Sequence, residues 1–268
     1  MGRRKDALPK DSVEKDYRIN TSLARGLSIL RAFSPDNHPI GNAEIAERVR
    51  LPKATVSRLT FTLTELGYLR YDESLGRYSL GPAVLTLGYD VISQMEIRDI
   101  ARPYMEDLAK YAGANAYLAA PDGTDMIHVE ACRIPASMSI RLGVGSRLPM
   151  ASTSLGRAYL AALKESDREA LIEKISETYG ENWHDVETNM RAEIAQAQKV
   201  GFALSRGAWF PESNSVAAAI RRKDGTPVYS LNIGGLRSLM TDEYLETQIG
   251  PRVFIVAREL ESAAKGIL

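Results

Sequence analysis

The stretch LPKATVSRL, residues 51–59, sets a lysine, two hydroxyls and an arginine among apolar residues, behind a proline. Such side chains donate hydrogen bonds of the kind that hold phosphate oxygens and base edges. Read as a helix from Pro52, the segment puts Val56, Leu59, Leu63 and Leu66 on one apolar face. The opposite face takes Ala54, Ser57, Arg58, Phe61, Thr62 and Glu65, with Lys53 and Thr55 at the N-terminal turn. Small residues there let a backbone come close to a partner. By itself the pattern fits either a plain solvated face or a surface for a polyanion.

The elements around it narrow the choice. TSLARGLSILRAFS (21–34) is a helix that Thr21 or Ser22 can cap, with Leu23, Leu27, Leu30 and Phe33 at helical spacing. GNAEIAERVR (41–50) is a short second helix with Ile45, Ala46 and Val49 inward, and Gly67 ends the third. YLRYDESLGRYSLG (68–81) then alternates about a turn, as a β-hairpin does. Three helices and a hairpin carrying Arg70 and Arg77 make the plan of a winged helix-turn-helix, whose second motif helix enters the major groove of DNA. In this reading Lys53, Ala54, Thr55, Ser57, Arg58 and Thr62 meet the groove. Arg77 and Arg70 reach phosphate or minor groove.

Charge agrees with that division. The 268 residues carry 34 basic and 34 acidic side chains. Residues 1–80 hold a net +4 and the remainder −4, a basic module joined to a mildly acidic one. A single cysteine, Cys132, excludes an internal disulfide and fits a reducing cytoplasm. No apolar run follows the basic start, so no signal peptide is expected, and none reaches the ~20 residues a membrane span needs.

The organisation expected is a mobile tail (1–18), a DNA-binding domain (19–81), a linker helix (82–96) and an α+β domain (97–268). In the last, residues 97–113 form a helix interrupted early by Pro103. Residues 115–121, 125–132 and 137–145 read as strands. Residues 153–163, 166–180 and 189–201 read as helices, with Gly201 ending the last. Residues 215–235 are two strands about a KDGTP turn, and 241–266 a closing helix.

The quoted segments, SLARGLSILRAFS, EIAERVRLPKATVSRLTFTLTELGYLR and GRYSLGPAVLTLG, resemble the N-terminal domain of the IclR family of bacterial transcriptional regulators. The likeness runs on through IRLGVGSRLPMASTSLGRAYLAAL, AQKVGFAL and SVAAAIRRKDGTPVYSLNIGG, over about residues 20–266. It implies a winged helix, a linker helix and a GAF-like effector-binding domain. It also implies a homodimer or dimer of dimers on double-stranded operator DNA, more often a repressor, and a small organic-acid effector.

Carried onto this chain, the family's pocket falls on the loop from Ala151 into the helix: Ser152, Thr153, Ser154, Leu155 and Gly156. Its strand positions are Ser205, Ser213, Ser215, Asn232 and Gly234. Hydroxyls and free N–H groups at a helix start suit a carboxylate, though Ser152 or Thr153 also suits a simple cap. The chain departs from the family where SRGAWFPESN replaces an acidic pair, Ser215 a cysteine, Ala219 a proline and Arg157 a lysine. Arg206 and Trp209 in that segment point to a more anionic or aromatic ligand, while Trp209 and Phe210 equally suit a core or an interface.

Other chemistry finds little footing. His128 and Cys132 are four apart, but in a strand such positions share a face about 13 Å apart, and no second ligand pair is near. His38 and His184 read as solvated loop residues. No nucleophile elbow, phosphate loop or dinucleotide fingerprint occurs, so no cofactor, metal or catalytic residue is expected. The alternatives to a regulator are a small-molecule enzyme and a protein-interaction module carrying a winged helix.

Overall fold

Asn20, not Thr21 or Ser22, starts the first helix: its side chain accepts the Leu23 N–H at 3.0 Å. The computed structural model describes residues 18–33, 39–134 and 142–268. The expected tail, except Arg18, lies outside these, as do His38 and residues 137–141 of the expected third strand. The chain divides into two units between Ile92 and Ser93.

The N-terminal unit holds helices α1 (Thr21–Arg31), α2 (Asn42–Val49) and α3 (Lys53–Glu65), and the hairpin β1 (Leu69–Asp72) and β2 (Arg77–Leu80). A bridge from Ile40 to Tyr78 adds one more rung to the hairpin. Ile29, Ile40, Ile45, Ala46, Val56 and Leu69 form the core. Of the α1 stripe, Leu23 and Leu27 are exposed, because Ile29 is the residue aimed at that core. Leu66 is likewise exposed, since the helix has stopped at Glu65 and Leu66 is only its cap. Between α2 and α3, Arg50 adopts a left-handed conformation (φ 54°), and the Leu51 N–H then closes on the Ala46 carbonyl at 3.1 Å. Thr60 is buried, its hydroxyl 3.1 Å from Asn42 Oδ1 and 3.0 Å from the Val56 carbonyl, which ties α3 to the start of α2. Helix α4 (Ala83–Ser93) follows and buries no side chain.

The second unit is a six-stranded antiparallel sheet with helices on both faces. Its strands are β3 (Asn115–Asp122), β4 (Asp125–Cys132), β5 (Arg147–Pro149), β6 (Ala203–Arg206), β7 (Ser213–Arg221) and β8 (Pro227–Leu236). They lie in the order β5-β4-β3-β8-β7-β6. Strand alternation sorts the side chains. Leu118, Val216, Ala218, Leu231 and Ile233 face a core with α5 (Ile97–Ala112) and the C-terminal helix. Ala119, Ala203 and Ala217 face the other, with α6 (Ser154–Ala162), α7 (Glu165–Ser176) and α8 (Trp183–Val200).

Several boundaries differ from expectation for local reasons. Helix α5 runs unbroken through Pro103, because Pro103 and Asp99, whose carbonyl loses its partner, both face solvent. Helix α8 begins at Trp183, straight from a 3-10 turn and without a side-chain cap to announce it, so His184 stands on a helix. Residues 142–145 are loop rather than strand, and the strands β5 and β6 are too short for alternation to show. The closing helix is α9 (Asp242–Tyr244), a π-helical turn (Leu245–Ile249) and α10 (Gly250–Ala263). The wider turn spares the ring of Pro251 a clash with the carbonyl four residues back. No helix among the described residues is long and apolar enough to cross a membrane.

Arg157 fastens three parts of this unit from inside. It is 2% exposed; Nε donates to the Ala151 carbonyl (2.9 Å), Nη1 to that of Leu204 (3.1 Å) and Nη2 to Asn189 Oδ1 (2.6 Å). Burial pulls its pKa down to about 10, so it stays charged at neutral pH. Arg157→Ala leaves two buried carbonyls and an amide oxygen without this donor. We expect a loss of about 3 kcal/mol in the urea unfolding of the C-terminal unit, with the N-terminal unit's transition unmoved.

Candidate functional site

The N-terminal unit offers one polar surface built on α3. Lys53, Ala54, Ser57, Arg58, Phe61, Thr62 and Glu65 are all exposed, and Thr55 is half-buried. No side chain caps this helix, no acidic residue stands in its first turn, and the first intrahelical bonds come from the Thr55 and Val56 N–H groups to Pro52. The N–H groups of Lys53 and Ala54 therefore point outward at the positive end of the helix dipole, beside two cationic side chains. Thr62 spends its hydroxyl on the Arg58 carbonyl at 3.0 Å. In the hairpin Arg70 is exposed, whereas Arg77 donates to the Pro39 carbonyl at 2.8 Å and lies 3.8 Å from Glu44. Of the two arginines, Arg70 is the less encumbered.

The C-terminal unit holds a pocket, open to solvent at its mouth, between α6 and its face of the sheet. Of the family-derived positions, Thr153, Ser154, Leu155, Ser205, Ser213, Ser215, Asn232 and Gly234 line it. Ser152 and Gly156 do not. The Ser152 carbonyl accepts the Ser205 hydroxyl at 2.7 Å, behind the wall. Gly156 is where α6 crosses the preceding loop: a Cβ there would stand 2.1 Å from Met150 Cα. Thr153 caps α6, accepting the Gly156 N–H at 3.4 Å.

A polar seam joins the helix start to the sheet. Asn232 Nδ2 donates to Ser154 Oγ at 2.8 Å, and Ser154 Oγ lies 2.8 Å from Ser215 Oγ. The two hydroxyls have two protons and their mutual bond uses one. The other is left for whatever occupies the pocket. The N–H groups of Ser154 and Leu155 lie in the first turn of the same helix, where no intrahelical acceptor exists for them. Leu148, Leu155, Trp209, Phe210 and Leu236 supply apolar walls.

Among the described residues no charged side chain lines this pocket. Arg206 lies outside it, paired with Glu193 and Glu246 and 3.7 Å from Asp242, so its charge is spent between β6 and the helices. This corrects the expectation that Arg206 would draw a more anionic ligand.

Tyr117, His128 and Asn214 also line the pocket and were missed from sequence. Strand alternation puts Tyr117 on the same face as Ala119, but nothing in sequence says that a pocket lies over it. His128 and Cys132 do not share a face. The pairing of Leu118 with Glu130 and of Ala119 with His128 leaves Val129 as a bulge. His128 consequently turns to the pocket, and Cys132 turns to α5, where its sulfur is 3.9 Å from the Arg102 carbonyl. Among the described residues no cluster of His, Cys, Asp and Glu could hold a metal ion.

A winged helix with an exposed cationic recognition face, joined in one chain to an α+β domain with an organic-ligand pocket, defines a ligand-responsive transcriptional regulator. Residues 22–73 match the IclR helix-turn-helix domain, and residues 89–261 the bacterial transcriptional regulator IclR C-terminal domain. The chain belongs to the IclR family of bacterial transcriptional regulators. It is 30% identical to the HTH-type transcriptional regulator TsaQ1/TsaQ2 of Comamonas testosteroni, over 90% of this chain and 87% of that protein. It is also 30% identical to the Pca regulon regulatory protein of Pseudomonas putida, over 90% and 82%. The crystal structure of an IclR family transcriptional regulator from Brucella abortus shares 40% identity over 96% of this chain and 97% of that one, with a TM-score of 0.83.

Burial pushes the His128 imidazole down to about 3, the Gly143 backbone opposing and the charge of Arg133 assisting. The ring is thus neutral in the folded chain down to about pH 3. Its folded pKa lies below the usual 6.5 of an unfolded chain. The resulting stability is fully present above pH 6.5 and is lost as pH falls toward 3. Between pH 7 and 4.5 the wild type should lose about 2 kcal/mol more of its unfolding free energy than His128→Leu does, measured by urea denaturation at each pH.

Proposed function

We propose that the C-terminal pocket binds a small aromatic carboxylic acid and that its occupancy adjusts the affinity of a homodimer for operator DNA. One observation carries the ligand class. The start of α6, with a spare seam hydroxyl and unpaired N–H groups, faces a pocket with no charged side chain among the described residues, whose walls include Trp209, Phe210 and Tyr117. Donors and a helix dipole hold a carboxylate without a counter-charge, and flat apolar walls hold a ring.

The operator contacts come from Lys53, Ala54, Thr55, Ser57 and Arg58, with Arg70 in the wing, and lesser parts for Thr62 and Arg77. The dimer is supported by exposed apolar side chains: Leu85 is 75% exposed and Tyr89 70% on α4, and Leu23 64% on α1. Large apolar side chains left this exposed are what a partner copy covers. Two recognition helices then read two half-sites of one palindrome. A ligand preferring one arrangement of the dimer shifts DNA affinity by its differential affinity for the two arrangements, and no further. In this reading the protein acts as a repressor in the cytoplasm, with operator DNA, the acid and a second copy of itself as partners.

Arg58→Ala tests the DNA face. We expect operator affinity to fall about tenfold and the slope of log K against log salt to shrink by about 1. Helical content and thermal transition should stay unchanged, since Arg58 makes no ion pair with a described residue. Unchanged affinity in the folded variant removes Arg58 from the interface.

A further inference from the structure

His128 is 1% exposed and lines the pocket; the Gly143 backbone lies beside its ring, and neither ring nitrogen makes a well-formed hydrogen bond to a described residue. Buried polar groups are almost always paired, and leaving one orphaned costs stability. The ring is also held in place. It stacks on Tyr117 with centroids 4.4 Å apart and planes 10° apart, and Tyr117 Oη accepts the Asn115 amide at 3.2 Å. A fixed, buried imidazole facing a pocket is placed to recognise a polar group within it.

Its place in the sheet says which end of a ligand it meets. Asn232, in the seam, pairs with Tyr117 on the next strand, and His128 stands one strand beyond, opposite Ala119. That is about 10 Å across the sheet and two residues along it. A six-membered ring with groups at opposite ends, hydrogen-bonded at each, bridges such a gap.

We propose that His128 is a specificity-determining residue that pairs with a hydroxyl at the end of the ligand remote from the α6 start. The pocket then prefers hydroxylated aromatic carboxylic acids to their unsubstituted parents. The inference rests on the acid-binding reading above. A neutral imidazole has one donor and one acceptor nitrogen, so it can pair with a hydroxyl through either, whereas to a second carboxylate it can only donate, with no charge to offset the anion.

The test is isothermal titration calorimetry of the full chain at pH 7.5 with two pairs of acids. These are benzoate with 4-hydroxybenzoate, and phenylacetate with 4-hydroxyphenylacetate. In at least one pair the wild type should bind the hydroxylated member about tenfold tighter or more. His128→Leu should bring that ratio close to one while leaving the parent acid's Kd within about threefold, and His128→Gln, which keeps a donor and an acceptor, should retain part of it. Equal affinity for both members in the wild type overturns this proposal and leaves the acid-binding reading standing. So does a preference that survives in His128→Leu. If that variant does not fold, the wild-type ratio and His128→Gln decide by the same criterion. No binding of any of the four acids overturns both readings.

Discussion

The C-terminal unit depends on satisfying the start of one buried helix. Ser154, Leu155, Gly156, Arg157, Ala158 and Leu160 of α6 are all buried, so the helix cannot turn its unpaired N–H groups to bulk water. The chain meets that constraint in three ways. Thr153 caps the first turn, Asn232 and Ser215 reach up from the sheet to Ser154, and Arg157 binds the loop and strand on either side. What these leave unpaired faces the pocket. The binding site is the residue of an incomplete satisfaction of helix α6, enclosed by Trp209, Phe210 and the sheet.

The N-terminal unit solves the same problem the other way round. The start of α3 has no side-chain cap and no acidic neighbour in its first turn, and it is held outward by packing at Val56 and Thr60. Its open donors cost little because, being exposed, they are met by water. The exposed side chains of Lys53, Ser57 and Arg58 are the visible part of an arrangement whose rigid part is Thr60, bonded to Asn42 and to its own helix.

Much of this was legible in sequence where a local rule governs. Period-3.6 spacing placed α3 and the DESLGR turn placed the wing, while the loop before Leu155 came to the pocket through the family resemblance rather than a local rule. The misses have non-local causes. The bulge at Val129, which sends His128 to the pocket and Cys132 to α5, exists only in the pairing of β3 with β4. Arg206 looked available until Glu193, Asp242 and Glu246 arrived from two helices distant in sequence. Gly156 was grouped with the pocket positions because it follows three residues that line the pocket, yet it answers to the backbone of Met150. Leu23 and Leu27 kept the spacing of a core stripe while facing away from the core.

Strand β4 carries His128 on its pocket face and Glu130 on the other, where Glu130 lies 2.9 Å from both Arg98 and Arg102 in the first turns of α5. The pocket is thus built on a strand anchored to the helix that follows α4. The account's central claim is that filling this pocket changes DNA binding. Its most direct test is fluorescence anisotropy of the full chain on DNA from upstream of its own gene and on a shuffled control, with and without the tightest-binding of the aromatic acids. Tight, salt-sensitive binding that favours the native DNA, with a Kd moved about fivefold or more by the acid, is the predicted result. Equal, weak binding to both DNAs, or a Kd unmoved by an acid that calorimetry shows to be bound, would contradict it.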